Sequence, residues 1–277
     1  MSRDGAVETW SRVIRAEEEV PVACRLVLHN LFKYFPYCVR SPASSGEYGH
    51  SPASLVCLGE GRLAIINADD PASKPAVMSL ESISAVESGR NLLLSWLALY
   101  HGRTHHVIWY NSVGYTLYEP FILAFRDSHE AAFDRGSTPM ADLLEPMFKL
   151  DYKYYNRSQA VLGGRVPIDY LYHPATAITR RLLRRRIISP YLLVGTQAML
   201  YVLSEESIVR LRRTACYSMV VRYIPRDAGY SLVKREDEEL HAWHELFAAD
   251  QSIMTIPVAA SERDAFDSFV SGLRQEA

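Results

Sequence analysis

Two stretches of the chain share one pattern of apolar and polar residues. Residues 55–67 (LVCLGEGRLAIIN) hold two short apolar runs separated by Gly59, Glu60 and Gly61, which is typical of a β-hairpin. Residues 192–204 (LLVGTQAMLYVLS) repeat this layout about half a chain further on. The shared pattern predicts a tandem repeat of one β-rich domain, with the first copy in residues 1–150 and the second in residues 151–277.

Most of the other apolar runs favour strands because they are rich in β-branched and aromatic residues. Gly89 interrupts one of these runs and is predicted to end it, and the Ser, Gly and Pro content of residues 40–52 predicts a surface loop. The predicted strands are Val77–Leu80, Ile83–Glu87, Asn91–His101, His105–Tyr110, Tyr115–Phe125, Tyr217–Ile224 and Ser252–Val258.

A helical period appears near the beginning of the chain and near the end of each half. Val7, Trp10, Val13 and Ile14 predict a helix over about residues 6–18, whereas residues 22–35 fit either a helix or a strand. Two further sets have the i, i+3, i+4, i+7 spacing of one buried helix face. They are Met140, Leu143, Leu144 and Met147, which follow a Thr138-Pro139 cap, and Phe266, Phe269, Val270 and Leu273.

Each half is therefore predicted to be a series of antiparallel strands closed by one C-terminal amphipathic helix, an α+β fold that is mainly β. A sequence pattern is similar to bacterial pleckstrin-homology-like (PH-like) domains: an apolar residue, Thr, two residues, Arg-Leu, then Leu-x-x-Ile-x-x-Val. Arg62-Leu63 and residues 80–86 match it in the first half, with Gly59 in place of Thr. In the second half Thr196 is present and Met199 replaces the Arg. The resemblance implies two PH-like antiparallel barrels, each with its capping helix.

Composition and charge narrow the classes of protein. A hydrophobic fraction of 48% is that of a globular chain, and a net charge of −2 makes nucleic acid an improbable partner. The N-terminus has no apolar core of signal-peptide length, and the longest apolar run, Leu92–Tyr100, is too short to span a bilayer. We therefore expect a cytoplasmic protein. The four cysteines form no CxxC pair, which gives no indication of a zinc or redox site, and three of them are expected to be buried thiols.

One basic run is the candidate anion-binding site. Clustered guanidinium groups can hold the phosphates of a lipid headgroup or another anionic ligand. The alternative is an exposed face whose charges pair with Glu205, Glu206 or the acidic residues at 236–239, the more usual role of a charge run. The run consists of Arg180, Arg181, Arg184, Arg185 and Arg186, around Leu182-Leu183.

Three other groups of residues have a chemical and a structural interpretation. His101, His105 and His106 could suggest a metal site, but His105 and His106 would point to opposite faces of a strand. The aromatic residues of 33–37 could stack on bases, although packing under a domain edge is more usual. His241, His244 and Glu245 could suggest an acid–base pair, but without a third partner an exposed loop or helix is favoured.

The sequence contains no GxSxG, P-loop or GxGxxG motif, and no cofactor or metal is predicted. We therefore expect a non-catalytic binding or scaffolding protein that acts in protein–protein interaction, by strand addition or through loops. A homo-oligomer is one form that this interaction could take. Binding of an anionic lipid or phosphate through Arg180–Arg186, and an enzyme with a dispersed site that uses the histidines of the first half, are the alternatives.

Overall fold

The computed structural model describes residues 10–46, 49–130, 141–179, 185–206, 209–210, 218–228, 231–236 and 241–275. The chain divides into two units, Met1–Ser128 and His129–Ala277. The described residues form twenty strands and five α-helices, and the described strand pairs within each unit are antiparallel. The predicted α+β fold with mainly β structure is therefore confirmed.

The first unit is built on a five-stranded sheet, a three-stranded meander and two helices. The sheet has the order β1-β2-β5-β6-β7, β3 pairs with β4, and β8, β9 and β10 pair consecutively. The elements are β1 Arg12–Ile14, α1 Val22–Leu31, β2 Tyr37–Ser41, β3 Ser44–Gly46, β4 Gly49–Ser51, β5 Ser54–Gly59, β6 Arg62–Asn67, β7 Ala76–Ser79, β8 Ile83–Arg90, β9 Leu94–His101, β10 Thr104–Asn111 and α2 Glu119–Glu130, whose last two residues belong to the second unit.

The core of the first unit lies between α1 and the five-stranded sheet. Cys24 and Leu28, one helical turn apart, are buried against Ile14, Leu55 and Ile66 of the sheet. The hairpin predicted at residues 55–67 is confirmed as β5 and β6. Its two turn residues adopt positive φ angles, 52° at Glu60 and 70° at Gly61, as the two-residue turn of a right-twisted hairpin requires.

The second unit contains a helical hairpin, three antiparallel sheet segments and a C-terminal helix. Its strands are ordered β17-β15-β14-β11, β12-β13-β16 and β18-β19-β20. The elements are α3 Ala141–Leu150, α4 Tyr152–Leu162, β11 Asp169–His173, β12 Thr176–Thr179, β13 Arg185–Ile188, β14 Tyr191–Gly195, β15 Met199–Ser204, β16 Val209–Arg210, β17 Met219–Pro225, β18 Ser231–Glu236, β19 His241–Ala248, β20 Gln251–Ala259 and α5 Arg263–Gln275.

Helix α5 packs its apolar face onto the second unit as the sequence predicts. Phe266, Phe269 and Leu273 are almost fully buried, while Val270 is half-buried. The close approach of α5 to β14 requires a glycine, because a Cβ atom on Gly195 would overlap the Leu273 side chain. Arg226 also donates hydrogen bonds to the Leu273 carbonyl and to the Thr196 carbonyl, which ties the helix to the β14–β15 turn.

Several predicted elements are wrong. Residues 12–14 of the predicted N-terminal helix form β1, and residues 1–9 lie outside the described residues. The described residues of 40–52 are not one loop, since they hold the end of β2 together with β3 and β4. Gly89 does not end its strand but lies inside β8. A glycine is found there because the ring of the directly opposite Trp96 occupies the space that a side chain would need.

The predicted strand Tyr115–Phe125 is a 3₁₀ turn followed by α2. Pro120 suits the first helical turn, and the buried Phe121, Ile122 and Phe125 fall on one helical face.

Two closed barrels are not seen either: within the described ranges, the sheets of both units remain open. Thr138-Pro139 lies outside the described residues, as does Met140. No described helix is long and apolar enough to cross a bilayer.

Candidate binding surface

The turn between β8 and β9 is fixed by the side chain and backbone of Asn91. The Asn91 side-chain oxygen accepts hydrogen bonds from the amides of Leu93 and Leu94, at 3.0 and 2.7 Å. The Asn91 amide in turn donates to the Leu94 carbonyl at 2.9 Å. Asparagine stabilises turns in this way because its short side chain mimics a backbone acceptor.

A second set of hydrogen bonds joins this turn to the 3₁₀ turn that begins at Ser112. The Ser112 amide donates to the Leu93 carbonyl at 3.1 Å, and its hydroxyl donates to the Asn91 carbonyl at 3.0 Å. The buried Ser95 hydroxyl donates to the Ser112 hydroxyl at 3.0 Å. The two turns are therefore joined by one backbone hydrogen bond and by the Ser112 hydroxyl, while the side chains of Leu92, Leu93 and Val113 take no part in this contact.

The side chains at these two turns are apolar and face solvent. Leu92 is 69% exposed, Leu93 78% and Val113 71%. We call these three residues the apolar tip. Leucine and valine are usually buried, and burying one such side chain contributes roughly 1.5–3 kcal/mol, so a fixed exposed set favours a contact surface over an accident of folding.

A cation and a stack of aromatic rings adjoin the apolar tip. The exposed Arg90 guanidinium lies over the Tyr115 ring, 5.3 Å from its centroid. The rings of Tyr110 and Tyr118 stack at 3.8 Å, and both are buried. Burial raises the pKa of Tyr118 to about 12.

Other exposed apolar side chains lie on helices. Val22 and Leu26 are exposed one turn apart on α1. In the second unit Phe148, Leu150 and Tyr152 are exposed at the junction of α3 and α4, where the Phe148 ring meets the Tyr152 ring edge-on at 5.5 Å. Phe148, Leu150 and Tyr152 offer a second apolar surface, in the second unit. Val22 and Leu26 offer a matched control for experiments on the apolar tip.

The predicted anion-binding run lies largely outside the described residues. Arg180, Arg181 and Arg184 are not described, and only the backbone of Arg185 and Arg186 is, as the first residues of β13. Arg186 pairs with Ile178 across the β12–β13 ladder. Anion binding by Arg180–Arg186 therefore stays a prediction.

The three histidines of the first half lie at the β9–β10 turn. His101 is the partner of Thr104, and His105 stacks on Tyr100 of the opposite strand at 5.9 Å. Partial burial, together with the neighbouring His101 and His105, lowers the pKa of His106. Among the described residues no group of His, Cys, Asp or Glu has a metal-binding arrangement.

The prediction that His244 lies in an exposed loop or helix is wrong. It lies in β19, is buried, and packs against the Phe266 ring of α5 at 4.6 Å. The backbone of His241 lies three residues earlier in the same strand. The aromatic segment at residues 33–37 is held by the hairpin turn, since the amides of Lys33 and Tyr34 donate hydrogen bonds to the Glu60 carboxylate.

Sequence reasoning missed one buried histidine altogether. His173 of β11 is 1% exposed, stacks on Tyr191 at 4.8 Å, and lies 2.7 Å from the Glu262 carboxylate through its Nδ1 atom. Burial and the Glu262 charge raise the pKa of Tyr191. No sequence motif joins these residues, because β11, β14 and the turn before α5 are far apart in the chain.

No family model matches the chain, and no curated protein matches it significantly.

Proposed function

We propose that this chain is a non-catalytic binding protein that contacts a protein partner through the apolar tip. One observation carries the proposal: Leu92, Leu93 and Val113 are exposed on two turns whose backbones are hydrogen-bonded to each other. A loop that is already ordered loses little conformational entropy on binding, so the burial of its side chains contributes to affinity.

The surroundings of the apolar tip support a protein as the partner. Interface centres are enriched in aromatic residues and arginine around a few buried anchors, and Arg90 and Tyr115 supply that composition here. Three large aliphatic side chains can fill a pocket on a partner as anchors, while Arg90 at the rim can meet a carboxylate. Binding to a lipid surface is the outcome that would contradict this choice of partner.

We further propose that the two units are copies of one PH-like domain, as the sequence resemblance suggests. The order of elements supports this proposal: in each unit a series of antiparallel strands leads to a three-stranded meander, a short 3₁₀ turn and a helix. The two aligned hairpins also have turns of equal length, Glu60-Gly61 and Gln197-Ala198.

Affinity capture with matched variants tests the function. The full chain, a Leu92→Ser/Leu93→Ser variant and a Val22→Ser/Leu26→Ser control are used as baits in lysate of the source cells. The control removes equally exposed aliphatic side chains from α1. A protein that binds through the apolar tip is retained by the wild type and by the control, and is lost with the tip variant. Once purified, this protein should bind the tip variant with a dissociation constant at least tenfold higher than that for the wild type.

Three results distinguish the alternatives. Equal capture by all three baits would refute the apolar tip as the contact surface. If the tip variant no longer sediments with phosphatidylcholine–phosphatidylserine vesicles as the wild type does, and captures the same proteins, the partner is a lipid surface. Capture of a second copy of this chain would make the contact that of a homo-oligomer, which analytical ultracentrifugation of the tip variant checks.

A further inference from the structure

Two cysteines of the first unit lie directly opposite each other in the centre of its five-stranded sheet. Cys38 of β2 and Cys57 of β5 are register partners, so their side chains lie on the same face of the sheet. Their sulfur atoms are 3.3 Å apart, and both residues are completely buried. This pair is independent of the apolar tip and of the proposed function.

The backbone at this pair already suits a disulfide. Directly opposite residues of antiparallel strands have Cα atoms about 4.5–5.5 Å apart, and disulfides join Cα atoms about 4.4–6.8 Å apart. The sulfur atoms must approach only by about 1.3 Å to reach the disulfide bond length of about 2.05 Å. Rotation of the two side chains therefore suffices, and the strands need not separate.

We propose that Cys38 and Cys57 form a site of oxidative modification, a cross-strand disulfide made by exchange with a small disulfide such as oxidised glutathione. One thiolate attacks a sulfur of oxidised glutathione and releases one molecule of glutathione. The second thiolate attacks the protein sulfur of the resulting mixed disulfide and releases the other. The two cysteines lose two electrons and two protons, and one oxidised glutathione becomes two reduced molecules.

Burial sets the rate of this exchange. The hydrogen bond with Cys38 and burial raise the pKa of Cys57 well above its usual range, so little of the reactive thiolate exists in the folded chain. Exchange therefore proceeds during folding or through transient opening of the sheet. Once formed, the bond is shielded from reductants in the same way.

A third thiol of the same core makes the proposal specific. Cys24 of α1 is also completely buried in the cluster that contains Cys38 and Cys57. It lies on the helix rather than on a neighbouring strand, so it has no register partner that would hold a second sulfur opposite it. The structure therefore predicts one pairing out of the three that these thiols allow.

Oxidative refolding of the full chain tests the pairing. The chain carries Cys216→Ser, because Cys216 lies outside the described residues and could exchange. Reduced protein is refolded over a series of ratios of oxidised to reduced glutathione, free thiols are alkylated, and linked peptides are identified by mass spectrometry. We expect the Cys38–Cys57 peptide, with Cys24 alkylated, and a higher thermal unfolding midpoint for the oxidised form.

Two further measurements complete the test. The bond is expected in a Cys24→Ser variant, and its reduction by dithiothreitol should be much faster in denaturant than in native buffer. A predominant disulfide to Cys24, or no Cys38–Cys57 bond at any glutathione ratio, would overturn the proposal. The pairing found in the Cys216→Ser chain decides the question, because that chain keeps Cys24, Cys38 and Cys57.

Discussion

Replacing Gly89 by alanine should destabilise the first unit by about 2.5–6 kcal/mol, from overpacking and from the strain or loss of one hydrogen bond. A Cβ atom at this position would overlap the ring of Trp96 on β9, so the ring must move. Inserting a methyl group into a packed core costs about 1–3 kcal/mol. Movement of the ring also strains or breaks the 2.7 Å hydrogen bond from its Nε1 atom to the buried Glu87 carboxylate, and a hydrogen bond to a charged group contributes about 1.5–3 kcal/mol.

Urea unfolding of the full chain, followed by far-UV circular dichroism, measures this loss. Gly272→Ala in α5 is the matched control, because a Cβ atom there meets open space. Alanine in the middle of a helix stabilises by about 0.5–1 kcal/mol relative to glycine, so the same substitution should have opposite effects at the two positions.

A double-mutant cycle identifies the cause of the loss. If the overlap with Trp96 is responsible, Gly89→Ala costs less in a Trp96→Leu background than in the wild type, and the two free energies of unfolding do not add. A Gly89→Ala variant as stable as the wild type would refute the close packing of Gly89 and Trp96.

Three other predictions concern the alkaline limit of stability, the C-terminal helix and the apolar tip. Burial raises the pKa of Tyr118 to about 12 in the folded chain, whereas it is about 10 in the unfolded chain. The contribution of Tyr118 to the free energy of unfolding is therefore complete below pH 10 and falls by about 3 kcal/mol towards pH 12. Urea titrations at rising pH should show this loss, and Tyr118→Phe should reduce it. Phe266→Ala should cost about 3–5 kcal/mol, whereas Ser268→Ala on the exposed side of α5 should change the unfolding midpoint little. Asn91→Ala leaves the apolar tip in place but removes two hydrogen bonds of its turn, so we expect faster amide exchange at Leu94 and a roughly fivefold weaker partner affinity, and an unchanged affinity would contradict the role given to loop order.

The hairpins could be predicted because their signal is local. At residues 55–67 the apolar runs and the turn residues are adjacent in sequence, and the same holds at residues 192–204. The buried face of α5 was likewise readable from its helical period. In these segments local preference and tertiary packing favour the same structure.

Predictions failed where two local signals competed. The aromatic and β-branched residues of 115–125 favoured a strand, but Phe121, Ile122 and Phe125 fit a helical face that packing selects. Residues 22–35 left the choice open, and burial of Cys24 and Leu28 one turn apart settles it as α1. At Gly89 the deciding neighbour, Trp96, comes from the opposite strand, and the sequence does not give the register.

The candidate sites depended even more on long-range contacts. In sequence, Leu92 and Leu93 resemble the core residues of β9. Only the structure shows that they are exposed, on a turn that hydrogen bonds join to a second turn about twenty residues further along the chain. One local signal did exist, since an asparagine before a run of leucines marks a turn with unusually apolar side chains. The Cys38–Cys57 pair needed the register of β2 and β5, and the Glu262–His173 contact needed the turn before α5.

Site-specific photo-crosslinking in intact source cells tests the central claim most directly. A photoreactive phenylalanine analogue replaces Leu93 in one variant and Val22 in another, so that equally exposed aliphatic positions of the first unit are compared. The proposal predicts one dominant protein crosslink at Leu93 that is missing at Val22 and is reduced by Asn91→Ala. Crosslinks of equal strength at both positions, or none at Leu93, would contradict the apolar tip as the binding surface.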